Sequence, residues 1–163
     1  MAKDYDPRLA ATRLAAVQAV YELDMIKAPV DDVLASFTAD RWKAADDDVS
    51  AEMARPKPEL LKELVNGTAA RHADINAALK PAMHGDRDVD DMEQVMQAIL
   101  RTATYELLAR RNVTAKTVIS AYTSVADAFF DEDGQQVKLI AGILNTVARQ
   151  LRADEFAHSG ETA

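Results

Sequence analysis

Apolar residues recur at intervals of three and four along almost the whole chain, and nowhere do they alternate with polar ones between turn signals. The first spacing lays side chains along one face of a helix, whereas a half-buried strand needs strict alternation. Asp6-Pro7 marks a helix start, with a capping carboxylate followed by proline at the first helical position, and the pattern continues to about Ile26 before Pro29. Val30, Val33, Leu34 and Phe37 predict a second helix ending near Trp42, and residues 43–57, with Asp46, Asp47 and Asp48, read as a mobile connection. A long helix is expected over 58–79, stopped by Pro81, with His84, Gly85 and Asp86 in a loop. Asp90 or Asp91 is expected to cap the next helix, which carries Val95, Ile99, Ala103 and Leu107. Thr114 caps a fifth, closing at Phe129-Phe130, and Val137, Ile140, Leu144, Val147 and Leu151 stripe a sixth.

Six helices with one oily face each must bury those faces against one another, so the fold class is an all-α bundle in a single domain. The expected division is an N-terminal lobe over residues 7–80, a C-terminal lobe over 90–152 and a flexible tail over 153–163. Composition agrees: 48% of residues are hydrophobic, only 6% aromatic, and glycine and proline number five each, few for a turn-rich β fold. With no cysteine, disulfides, thiolate metal sites and cysteine nucleophiles are excluded. No start resembling a signal peptide and no apolar run of about 20 residues predict a cytoplasmic protein that does not enter a membrane.

The residues offer little chemistry. The isolated glycines cannot build a phosphate-cradling loop, and Gly67 and Gly142, inside predicted helices, read as points of close helix packing, or else of approach by a partner's backbone. His72, His84 and His158 lie far apart in sequence. Asp86, Asp88 and Asp90 begin like a calcium loop, but its sixth and twelfth positions hold Asp91 and Gln97 instead of glycine and glutamate. No nucleophile has an identifiable base, so neither an enzyme nor a cofactor is expected.

Three segments carry a resemblance. They are RLAAVQAVY at residues 13–21, ILRTATYEL at 99–107, and KLIAGILN at 138–145 shortly after the acidic turn Asp131-Glu132-Asp133. LVNG at 64–67, LKP at 79–81 and VTAK at 113–116 support them. In order and spacing these segments resemble the NusB family over about residues 7–152. The resemblance implies two packed three-helix subdomains and a transcription antitermination factor. Such factors bind the boxA element of ribosomal RNA transcripts with NusE, a small-subunit ribosomal protein, and join other Nus factors on RNA polymerase.

An RNA face needs cations for phosphates and side chains that stack on or hydrogen-bond to bases. Arg8 and Arg13 are read as phosphate contacts, and Gln18 as a base contact on the same helix. Tyr21 reads equally as an RNA contact or as a core tyrosine, and Lys116 and Lys138 as RNA contacts or solvated lysines. Arg101 and Tyr105, four apart on one face, read as a structural pair or as partner-binding residues. The chain departs from the family where Leu9, Ala10, Ala11 and Thr12 replace arginines, and its net charge is −8. Weak RNA binding by the isolated chain, strengthened by NusE, is therefore expected. The alternative is a helical protein-interaction module with a weakened RNA face; a homodimer masking that face is left open, since no residue identifies one. A third reading, the NusB-like domain that opens the RsmB cytosine methyltransferases, is less expected, since it would call for a catalytic domain after this one.

Overall fold

The computed structural model describes residues 6–37, 55–131 and 134–156. Over these residues the chain is helical and contains no strand. The α-helices are α1 (Pro7–Ile26), α2 (Val30–Ser36), α3 (Pro58–Ala70), α4 (His72–Leu79), α5 (Gln94–Ala109), α6 (Ala115–Phe129) and α7 (Gln135–Leu151). The continuation of α2 to Trp42 and the Asp46–Asp48 stretch lie outside the described residues, as does the tail beyond 156.

Local chemistry sets several helix ends. The Asp6 carboxylate accepts the Arg8 N–H at 2.9 Å ahead of Pro7, and α1 closes on Lys27 in the left-handed region, with φ 57°. Thr114 accepts the Thr117 N–H at 3.2 Å and so caps α6.

Two expectations change. The helix expected over 58–79 breaks at Arg71, whose backbone leaves helical geometry at φ −102° and ψ 28°. The bend re-aims α4, so that Ile75 and Leu79 are both fully buried against α5 and α7. Asp90 and Asp91 do not cap α5. Instead Asp88 caps a single 3-10 turn, Val89–Asp91, while its own N–H donates to the Asp91 carboxylate, and α5 begins three residues later without a side-chain cap.

Helix α5 is the axis of the molecule. Every residue from Met96 to Leu107 is buried, and α1, α3, α4, α6 and α7 all pack against it. Its own Ile99 and Leu107 and, around them, Leu64, Val118, Ile140 and Leu144 from three other helices are fully enclosed, each contributing about 1.5–3 kcal/mol by burial. Gly67 belongs to this packing, since an added Cβ would stand 2.2 Å from the Tyr105 ring. Gly142 does not. It is exposed on α7 with nothing within 4 Å of an added Cβ, so among the described residues no helix packs there.

Candidate nucleic-acid interface

Glu106 sits in the middle of α5 with no solvent exposure and gathers four donors. Arg13 grips it with Nε on Oε2 at 2.7 Å and Nη2 on Oε1 at 3.0 Å. Tyr122 donates its hydroxyl to Oε2 at 2.5 Å, and Arg110 donates to Oε1 at 2.8 Å. Burial pushes the Glu106 carboxyl up, but hydrogen bonds and charge from Arg13, with help from Tyr122 and Arg110, outweigh it and hold the group below its usual range. Tyr122 shifts the opposite way: burial first, then the adjacent Glu106 charge, pushes its hydroxyl well above the ordinary value.

Arg13 is therefore not the surface phosphate contact expected from the sequence. Only 4% of it is exposed, and its fork is engaged on a carboxylate contributed 93 residues later. The reason is geometric: position 13 falls on the inward arc of α1 with Thr12, Ala16 and Val20.

Arg101 and Tyr105, expected as a structural pair or as partner-binding residues, are also buried, each with its own partners. The Arg101 guanidinium is buried between Asn76 Oδ1 at 3.1 Å, Gln97 Oε1 at 2.8 Å and Asp90 Oδ1 at 2.6 Å, with Asp24 at 3.8 Å. Tyr105 lies against Gly67, with its hydroxyl 3.2 Å from Glu63 Oε2. Both fasten α5 to its neighbours and offer a partner almost no surface.

The remaining candidates are accessible. Arg8 is exposed at the start of α1, where Nε donates to the Arg55 carbonyl at 3.0 Å and Nη2 to the Pro56 carbonyl at 3.2 Å. Gln18 and Tyr21 are half-buried on the outer side of α1. Lys116 is exposed at the first turn of α6, beside an open groove also lined by Ile119, Asn145 and Phe156. Lys138 is exposed on α7, and among the described residues no ion pair holds either lysine. Among the same residues no cluster of three or more His, Cys, Asp or Glu side chains is placed to hold a metal, and no helix is long and apolar enough to cross a membrane.

The NusB family model matches residues 10–149. The chain belongs to the NusB family. A transcription antitermination protein NusB from Novosphingobium aromaticivorans is 38% identical over 143 residues, covering 88% of this chain and 94% of that protein. Its counterpart from Bradyrhizobium sp. strain BTAi1 is 35% identical over 150 residues, covering 91% of this chain and 86% of that protein. The fold is that of T. maritima NusB, with TM-score 0.67, 17% identity, and 90% and 92% of the two chains covered. It also matches a chain of the crystal structure of antitermination factors NusB and NusE in complex with dsRNA, with TM-score 0.66, 16% identity, and 86% and 96% covered. The NusB match contains Arg13, Glu106 and Tyr122, while Arg8 and Arg152 lie outside it.

Two residues central to this NusB fold escaped the sequence reading. Glu106 is a charge on a row otherwise made of Ile99 and Ala103, and a charge on a buried stripe signals a buried partner. Arg152 continues the Leu144–Ala148 row in the same way. It is fully buried and donates to the carbonyls of Leu107 at 2.8 Å, Val113 at 2.8 Å, Arg110 at 3.1 Å and Glu106 at 3.3 Å. It thereby satisfies the carbonyls that end α5 with a cation at the negative end of the helix dipole. Its partner Glu155, 2.6 Å away, accepts the Ala115 N–H at the opposite, positive end of α6.

Proposed function

We propose that the chain is a transcription antitermination protein that binds boxA RNA of ribosomal RNA transcripts together with a NusE-type ribosomal protein. The observation that carries this reading is the NusB match through residues 10–149, joined by relatives of that name that align with nearly the whole chain. On this reading Gln18 and Tyr21 meet exposed bases from the outer side of α1, and Arg8, Lys116 and Lys138 meet phosphates. The complex then joins other Nus factors on RNA polymerase in the cytoplasm.

A weakened RNA face is the second reading. It is favoured by the withdrawal of Arg13 into the core and by the net charge of −8. Titration of labelled boxA RNA, with and without NusE and at two salt concentrations, separates the two. RNA binding that needs NusE, and whose salt slope falls by about 0.7 in each of Lys116→Ala and Lys138→Ala, supports the first. Firm NusE association without RNA preference supports the second.

A further inference from the structure

Helix α1 is buried on most of its circumference. With 3.6 residues per turn, its buried residues Thr12, Arg13, Ala15, Ala16, Val17, Ala19 and Val20 sweep an arc of about 200°. Most of these side chains are alanine or valine, which present a smooth surface with few knobs to interlock with α3 and α5. Apolar burial, with Leu14, Tyr21 and Leu23 resting partly on the core, holds the helix in place, and the Lys57 N–H donates to Thr12 Oγ1 at 2.7 Å near its start. The Arg13–Glu106 fork adds a buried, directional restraint on rotation about the helix axis. Two parallel hydrogen bonds, at 2.7 and 3.0 Å, fix both the distance and the orientation of α1 against α5. Tyr122 and Arg110 in turn hold the carboxylate. Gln18 and Tyr21 follow Arg13 by five and eight residues on the same helix and are half-buried on the arc opposite the buried one, with Tyr21 resting partly against the core. A rotation of α1 would swing both.

We propose that Arg13 is a positioning residue for RNA binding, whose fork on Glu106 fixes the rotation of α1 and so aims Gln18 and Tyr21 at the nucleic acid. This inference rests on the RNA-binding reading above. It assigns to Arg13 a role opposite to phosphate contact, and the two differ in measurable ways. A lysine keeps a point charge that can still serve a phosphate but loses the planar fork.

The test measures the affinity of the NusE-bound full chain for boxA RNA across a salt series, well below the melting temperature and with folding checked by circular dichroism. Arg13→Lys and Glu106→Gln are each expected to weaken binding about tenfold with an unchanged salt slope. Arg13→Lys that binds like the parent, while Arg13→Met loses affinity and about 0.7 of slope, would establish a phosphate contact and overturn the proposal. Folded variants with lowered melting temperature but parental affinity would overturn it too, because the pair would then serve stability alone. A parent protein with no RNA affinity in the presence of NusE would sink the RNA reading itself, and this inference with it. If Arg13→Lys does not fold, Tyr122→Phe carries the test, since it removes one hydroxyl from Glu106 and keeps the ring. A fall of about threefold is expected, and unchanged binding overturns the proposal.

Discussion

Arg13 and Lys138 each bring a positive charge into segments that resemble one family, yet the two regions treat that charge in opposite ways. Where α1, α5 and α6 meet, Arg13, Arg110, Glu106 and Tyr122 form a closed set in which the Glu106 carboxylate is satisfied from several sides. On the outer side, Gln18 and Tyr21 are half-buried and Lys116 and Lys138 stand exposed. A buried charge is costly unless paired and hydrogen-bonded, so its partners must be specified, whereas an exposed lysine constrains nothing around it. The segments that stand out most in the sequence therefore report the architecture. The residues left to meet a ligand follow no periodic rule.

The largest expected effect lies on the enclosed side. Arg152→Ala should lower unfolding free energy by about 3 kcal/mol or more in urea titrations, because the carbonyls that end α5 lose their donor and Glu155 its partner. A loss below about 1 kcal/mol would mean that water replaces the guanidinium and that this end is not closed.

Acid should separate the regions next. Because the Glu106 carboxyl titrates below its ordinary value of 4.5 when folded, its pairing stabilises the protein above that pH. The contribution is lost as pH falls through the folded-state value. Glu155, lowered by the Ala115 N–H and by Arg152, acts in the same direction. Glu106→Gln should therefore be less stable at neutral pH and show a flatter decline on acidification than the parent. Parallel curves for the two proteins would contradict a charged Glu106 in the core.

The two helical glycines give the smallest and sharpest contrast. Gly67→Ala drives a methyl into the buried Tyr105 ring and should destabilise by about 1–2 kcal/mol. Gly142→Ala meets only open space in a helix interior and should stabilise by about 0.5–1 kcal/mol. Thermal melts check both, and equal signs would erase the distinction.

These positions show what the sequence made legible. Asp6-Pro7 and Thr114 announce helix starts because a cap and its donors are close neighbours in the chain, and the stripe on α7 is visible because burial on one face is periodic. The break at Arg71 has no glycine or proline to mark it, since it answers to the need of Ile75 and Leu79 for the core. Arg13 was misjudged because nothing local says that a carboxylate 93 residues away will meet it. Close helix packing expected at Gly142 is absent among the described residues, because a helix glycine looks alike in the sequence whether a neighbour presses on it or not. For the outer candidates, sequence offered residue types suited to RNA, and the structure adds that they are accessible.

The central claim, that Arg13 is spent on Glu106 inside the fold, is tested most directly by a double-mutant cycle in urea unfolding with Arg13→Met, Glu106→Gln and the pair combined. The account predicts a coupling of about 1–3 kcal/mol, with the double variant less destabilised than the sum of the singles. Additivity within about 0.3 kcal/mol would contradict it and return Arg13 to the surface.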